Sequence, residues 1–310
     1  MNKKEITIVT HSGQFHTDDV FAVATLQLML EEKGYSVVVV RTRDERIVSN
    51  ADYVVDVGEI YDPIQKRFDH HQQMGAGVRE DGIPYASFGL VWKEYGESIC
   101  EDKEIASLIE QRLVKPIDAM DNGINFMKSD REGLFMYDLK DITFVYKNTW
   151  KEDDGVLDQN FKYLTGFAQS LIKREISVLK DMRESDREVS EIIAQQQYKT
   201  LLIIDKPYQY EQVVSSKPYI LLVVHPKRQD GTWAVETARD NIRSYQSRID
   251  LPEEWAGKRD AELAEITGVK DAVFCHRGRF IAVAKSKEGV IKLAHLALEK
   301  AGKSIDQQTS

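Results

Sequence analysis

Short apolar runs rich in β-branched residues alternate with helical periodicity along the N-terminal part of the chain. Residues 6–10 read as a strand, followed by a helical run over 20–33. There Val20, Ala24, Leu28 and Leu30 contribute to a broad apolar face, and Gly34 supplies the stop. A strand at 36–40, a short helix near 44–49 and a strand at 53–56 follow. Strands that are apolar on both faces and separated by helices predict a buried parallel sheet with crossover helices. Beyond a glycine-rich polar loop at 75–84, helices are predicted at 86–95 and 103–120. The second carries Ile105, Leu108, Ile109, Leu113 and Ile117 at helical spacing, and Pro116 should kink or divide it. A long amphipathic pattern over 160–197 (Phe161, Leu164, Ala168, Leu171, Val178, Met182) then leads to strand-like runs at 200–204, 219–225, 232–237, 272–275 and 279–284, closed by a helix at 288–300. The pattern predicts an α/β protein of two domains. Residues 1–195 would form a parallel-sheet domain ending in the long helix, and residues 196–310 a smaller α/β domain richer in antiparallel signals.

Composition changes this picture little. A chain of 310 residues has ample interior to bury. No apolar run approaches the ~18 residues that suggest a membrane span. The apolar run after the two N-terminal lysines is too short for a signal peptide. Two well-separated cysteines, Cys100 and Cys275, give no disulfide framework and suit a reducing cytoplasm. A net charge of −9 argues against broad non-specific nucleic-acid binding, although bound divalent cations reverse the sign inside a cleft.

The chemistry is concentrated early. Four of the seven histidines, His11, His16, His70 and His71, lie in the first quarter of the chain, interleaved with Asp18, Asp19, Asp56 and Asp69. A lone acid or histidine after a strand is more often a turn or capping residue. Asp18-Asp19 also suits the positive end of the helix it begins. Three clusters together, with His11 and Asp56 at the carboxyl ends of predicted strands where open α/β sheets bind ligands, point instead to a shared metal site. A mixed Asp/His set favours manganese, iron, cobalt or zinc over magnesium or calcium alone. Two such ions activate water and stabilise both oxygens of a phosphoryl displacement. Asp56, at the tip of a central strand, is the candidate bridge. Asp118 and Asp121 lie about a helical turn apart: one a ligand and the other its support, or both exposed helix-end acids. Gly-x-Ser-x-Gly, Walker and Gly-x-Gly-x-x-Gly motifs are absent, as is His-Glu-x-x-His. Neither cysteine has the surroundings of a nucleophile.

With these motifs aligned, the chain resembles the DHH phosphoesterase superfamily. Within it the closer match is to the melanocyte-proliferating-gene family, long labelled metal-dependent protein hydrolases and related to a 3′–5′ RNA exonuclease. The resemblance is carried by Thr10-His11-Ser12-Gly13-Gln14-Phe15-His16-Thr17-Asp18-Asp19, Phe68-Asp69-His70-His71-Gln72, Ser87-Phe88-Gly89-Leu90-Val91 and Ile117-Asp118-Ala119-Met120-Asp121-Asn122-Gly123. In the second half it is carried by Leu251-Pro252-Glu253-Glu254-Trp255-Ala256-Gly257 and Phe274-Cys275-His276. It implies that His11, His16 and Asp56 hold one metal and Asp18, Asp56, His70 and Asp121 the other. It further implies that His71 sits beside the substrate phosphate while Asp69 fixes the tautomer of a neighbouring imidazole. The superfamily usually has Asp where His16 stands, and Thr17 and Asp19 replace the family's commoner Cys and Glu, neither an expected ligand. A second domain closing over a cleft would contribute phosphate-binding groups, with His276, Arg277 and Arg279 as candidates. The expectation is a phosphodiester hydrolase using two divalent ions, manganese first, with zinc, cobalt, iron or magnesium as alternatives. Its substrate would be short or single-stranded RNA attacked 3′–5′. The alternatives are a small-molecule phosphatase or phosphodiesterase acting on pyrophosphate or a cyclic dinucleotide, and a non-catalytic metal-stabilised interaction protein. The apolar stripe of the long helix fits packing within one chain or pairing in a homodimer.

Overall fold

The computed structural model of the chain describes residues 3–126, 131–228, 230–242, 244 and 246–303. They form two compact units, Met1–Lys180 and Asp181–Ser310. The first is built on β1 (Glu5–Thr10), α1 (Thr17–Glu32), β2 (Ser36–Arg41), α2 (Glu45–Asn50), β3 (Tyr53–Val55), β4 (Tyr61–Asp62) and β5 (Arg67–Phe68). The sheet order is β2-β1-β3-β5-β4, with β4 antiparallel at the edge and the other pairings parallel. Parallel pairing brings the carboxyl ends of β1, β3 and β5 to one edge, where His11, Asp56 and Asp69 follow them. The two-residue strands β4 and β5 are too short to carry periodicity, so the sequence pattern does not reveal them.

Helix α1 is buried on nearly every side from Thr17 to Leu30, only Gln27 being half-exposed. It packs against β1, β2 and β3, and also against α3 (Ser87–Cys100), α5 (Lys115–Asp121) and α6 (Leu139–Val145). That double cover is why its sequence is apolar all round rather than on one stripe. Short α6 was not anticipated. Its start is a reciprocal cap in which the Asp138 carboxylate accepts from Lys140 N (2.8 Å) and Asp141 N (3.0 Å), while Asp141 accepts from Asp138 N (3.1 Å).

The predicted helix over 103–120 is present but changes pitch. Helix α4 (Lys103–Ile109) runs into a π turn at Glu110–Val114 and then into α5. A straight 3.6-residue period places Leu113 inward. The π turn adds a residue, so Val114 takes the fully buried place and Leu113 is left half-buried. Pro116, which has no N–H to give, follows directly on that turn, whose last bond runs from Lys115 N–H to the Glu110 carbonyl. Helix α7 (Gly155–Gln195) buries Leu157, Phe161, Leu164, Ala168, Ile172, Ile176 and Leu179 at helical spacing within the first unit.

The second unit contains β6 (Leu201–Ile203), α8 (Glu211–Ser215), β7 (Leu222–Pro226), β8 (Trp233–Thr237), α9 (Asp260–Thr267), β9 (Ala272–Cys275), β10 (Ile281–Ala284) and α10 (Lys287–Lys300). Its sheet order is β6-β7-β8-β10-β9; β6 and β7 are parallel and the rest antiparallel, in keeping with the predicted mix. Trp255, Leu251, Leu263 and the inner face of α10 (Val290, Leu293, Ala294, Ala297) form its main core. Among the described residues no helix is long and apolar enough to cross a membrane.

Candidate metal centre

The clustered acids and imidazoles of the first unit converge at the carboxyl edge of its sheet. Asp56 is central. It leaves β3 in the left-handed region (φ 55°), a conformation rare outside glycine and best tolerated by Asp and Asn. That turn buries its carboxylate and aims the two oxygens in different directions. Oδ2 lies 3.3 Å from His11 Nε2, and Oδ1 lies 3.4 Å from His70 Nε2 and accepts from Ser87 Oγ at 3.0 Å. His70 Nε2 is also 3.2 Å from Asp121 Oδ2. Three ligand groups result: His11, His16 and Asp56; Asp56, His70 and His71; Asp18, His70 and Asp121. Within each, one ligand atom per residue lies within 4.8 Å of the others. A cavity of about 690 Å³ opens on His11, His16, Asp56 and His71.

These residues fit divalent ions. His11 Nδ1 faces the Ser12 carbonyl at 3.0 Å and must donate its proton there. In the neutral ring the Nε2 lone pair then points at two carboxylates, 3.0 Å from Asp19 and 3.3 Å from Asp56. His11 Nε2, His70 Nε2 and Asp19 Oδ2 are all buried without a hydrogen-bond partner. Separations of about 3.0–3.4 Å are those of neighbouring ligands on one ion with bonds of roughly 2.1 Å. Without a cation the cluster holds protons instead. Burial alone would lower His11, but pairing with Asp19 and Asp56 outweighs it and raises the imidazole to about 10. In the same way burial is outweighed at His70 by Asp121 and Asp56, which lift it to about 11. Burial and the carboxylates of Asp121, Asp56 and Asp118 push Asp18 well above the carboxylate range. Asp56 goes the other way, its burial overcome by His11 and His70. An excess of crowded negative charge, relieved only by protons, is the condition that bound cations remove.

The two acids that begin α1 divide their work unexpectedly. Asp19 Oδ1 accepts from His16 N at 2.9 Å, the capping role expected of it, while Oδ2 faces His11. Sequence reasoning dismissed Asp19, because a cap explains one oxygen and nothing local shows the other. Asp18 caps a helix other than its own: it accepts from Ser87 N (2.9 Å) and Phe88 N (2.7 Å) at the start of α3. Asp118 takes the next N–H, from Gly89 at 3.0 Å, and is held by Arg79 Nη2 at 2.6 Å. Arg79 also reaches Glu110 Oε1 (2.6 Å) and the Pro84 carbonyl (3.1 Å), tying the glycine-rich loop to the site's rear wall. Of the pair left open by sequence, Asp121 faces His70 and Asp118 braces α3. Ser87, Gly89 and Arg79 were missed as site residues; Ser87 and Gly89 had stood only inside a resemblance.

Asp69 is buried, accepting from Glu59 N (2.6 Å), His71 N (3.1 Å) and His71 Nδ1 (2.8 Å). This orients the exposed His71 ring with Nε2 directed outward, and the Asp69 carboxylate raises its pKa against a smaller effect of burial. His16 stands exposed at the N-cap of α1, its ring centroid 5.7 Å from that of His11.

The three second-unit candidates sit in the turn between β9 and β10. Exposed His276 accepts from Gly278 N through Nδ1 at 2.9 Å. Arg279 takes positive φ (56°) and is paired with Asp250 at 2.6 Å. Arg277 is exposed and forms no ion pair among the described residues. Both cysteines are buried thiols, pushed by burial to about 12 for Cys100 and about 11 for Cys275, so neither is a nucleophile.

Comparison with known proteins adds an independent finding. The family described as "MYG1_exonuc: Uncharacterised protein family (UPF0160)" matches residues 7–298. The "MYG1 protein" of Chlamydia pneumoniae is 31% identical over 309 residues, covering 96% of this chain and 98% of the relative. The "MYG1 exonuclease" of Homo sapiens is 27% identical over 323 residues, covering 94% of this chain and 85% of the relative. Among solved structures, RecJ of Thermus thermophilus in complex with Mn2+ aligns over 97% of this chain and 53% of that one, at 11% identity and a TM-score of 0.28, too weak a superposition to carry weight.

Proposed function

The chain belongs to the MYG1 exonuclease family (UPF0160), and from that premise and the carboxylate–imidazole cluster we propose a metal-dependent exonuclease that hydrolyses phosphodiesters of short or single-stranded RNA from the 3′ end. The observation that carries this reading is Asp56, whose two oxygens face His11 and His70 respectively, as a bridging carboxylate requires. His11, His16 and Asp56 would hold one ion, with Asp19 Oδ2 a further donor beside His11 Nε2, and Asp56, His70, Asp18 and Asp121 would hold the other. The mixed donor set suits manganese, iron, cobalt or zinc, and manganese is the ion proposed first. When bound, the two ions would activate water and neutralise charge on the phosphoryl oxygens. The chain's own groups do the rest. Asp69 holds His71 in the tautomer that presents Nε2 to the substrate phosphate, where it stabilises charge or moves a proton. Ser87 Oγ–H, aimed at Asp56 Oδ1, keeps the bridging carboxylate from rotating. Arg277 and His276 of the C-terminal unit are the candidates for holding the rest of the substrate. Two buried free thiols fit a cytoplasmic location.

The test is hydrolysis of end-labelled single-stranded RNA in manganese, with pyrophosphate in parallel and His70→Ala as control. Stepwise shortening from the 3′ end, absent in His70→Ala, is the expected result. Phosphate release from pyrophosphate alone would move the protein to the small-molecule phosphatases. Silence on both substrates with metal bound would leave a metal-stabilised interaction protein.

A further inference from the structure

Two cavities in the first unit meet at Lys140. The smaller, about 260 Å³, opens beside the metal-ligand cluster: His16, Asp18 and Asp121 line it together with two cations, Lys140 and Lys147. The larger, about 640 Å³, shares Met120 and Lys140 with the first and is walled by Phe126, Phe135 and Met136. Its volume is that of a small-ligand site, about 300–1,000 Å³. Phe126 and Phe135 leave 49% and 93% of their surface exposed, an unfavourable arrangement for rings that could have packed inward. Neither lysine makes an ion pair among the described residues, although acids of the cluster lie within the same cavity wall. Helix α6, which carries Lys140, is fixed to α1 by a buried hydrogen bond between Thr143 Oγ1 and Thr17 Oγ1 at 2.9 Å, next to the ligands themselves.

The order along this wall is metal ligands, free ammonium groups, then exposed aromatic rings. That is the order of a nucleotide: reacting phosphate, neighbouring phosphate oxygens, base. We propose that residues 120–126 and 134–147 form the nucleotide subsite, with Lys140 and Lys147 on the phosphate and the base flat against Phe126 and Phe135. The inference rests on the phosphodiesterase reading and deepens it. The occupant is a base attached to the phosphate under attack; charge complementarity selects it, since a purely apolar partner leaves the two ammonium groups unmatched. Base–aromatic stacking is tolerant of sequence, so the subsite grips any nucleotide without choosing among bases. It also fits the net charge of −9, since one terminal nucleotide is held and not a strand.

The experiment compares steady-state hydrolysis, in manganese, of a ribodinucleotide and of the two forms of it that lack one base, with pyrophosphate alongside. Wild-type protein, Phe135→Ala and Lys140→Gln are assayed together and their oligomeric states checked by sedimentation. The expected result is that loss of one particular base raises KM by about 10-fold or more in wild type. Phe135→Ala should raise KM for the intact dinucleotide by a similar factor, so that the difference between the substrates collapses. Lys140→Gln should raise KM for all dinucleotide forms, because all carry the phosphate. Equal KM for intact and abasic dinucleotides in wild type and in Phe135→Ala would overturn the subsite and leave the phosphodiesterase reading standing. Cleavage of pyrophosphate with no dinucleotide cleaved would overturn both. A change of oligomeric state in Phe135→Ala, with the substrates still treated alike, would make the aromatic patch an interface between copies and likewise overturn the subsite.

Discussion

Gly89→Ala is the sharpest structural test of the site's rear wall. A Cβ on Gly89 would lie 1.9 Å from Asp118 Oδ2, 2.8 Å from Asp118 Cγ and 2.8 Å from Arg79 Nη2. Asp118 has no room to retreat: it is fully buried, accepts from Gly89 N and is paired with Arg79. The extra methyl must therefore disrupt a buried ion pair, which costs about 3–5 kcal/mol when one partner is lost. Alanine recovers about 1 kcal/mol of helix propensity. The net loss is about 2–4 kcal/mol, or a fall in Tm of about 5–15 °C for a unit of this size. Thermal unfolding of metal-free protein measures it, with Gly89→Ala also made in an Asp118→Ala background. There the methyl meets no carboxylate, and the cost should vanish or reverse. Equal losses in the two backgrounds, or an unchanged Tm in the first, would refute the clash as the cause. Because α3 begins at Ser87, which touches Asp56, manganese affinity should fall with stability.

Three further outcomes follow from the geometry. Asp56→Asn should fold, because Asn tolerates the left-handed backbone, yet lose turnover by about 100-fold or more and bind fewer than two metals; retained turnover ends the bridging role. His71→Gln should keep its metal and lose about 10²–10⁴ in kcat, checked by metal content alongside kinetics; equal loss of metal would make His71 a ligand instead. In metal-free protein His11, raised to about 10, contributes stability that is fully present below about pH 6.5 and disappears as pH rises through its folded pKa. Metal must displace that proton, so manganese binding should release protons and tighten with pH over the same window. Calorimetric titration in buffers of different ionisation enthalpy measures the release; finding none would mean that His11 is not displaced.

What was legible in the sequence was whatever a strand end or a period could mark. His11 and Asp56 follow apolar runs, and parallel pairing of those runs is what makes their ends neighbours. The rest depended on partners far along the chain. Asp18 reads as a cap for the helix it begins, and only the packing of α3 on α1 shows that it caps Ser87 and Phe88 instead. Arg79 sits in a loop whose glycines and polar residues suggest solvent, yet its guanidinium is buried among Asp118, Glu110 and Tyr85. Asp118 and Asp121 were indistinguishable because helical spacing says that two acids share a face, not which of them meets His70.

The π turn at Glu110–Val114 works as a phase counter. Each residue advances a helix by about 100°, so the single extra residue decides which side chains of α5 look toward the ligands. Inward positions step from Ile105 to Ile109 and then by five to Val114, which brings Asp118 and Asp121 round to the site. Straighten that turn at full length and Leu113 goes inside, while Asp121 points away from His70. Remove one residue from its exposed side, such as Gln111, and Val114 falls four places after Ile109, so an unbroken α-helix keeps Val114, Asp118 and Asp121 facing as they do now. The surface residue is thus a spacer whose loss the helix absorbs, and it is the turn's pitch, not its length, that holds the ligand in place.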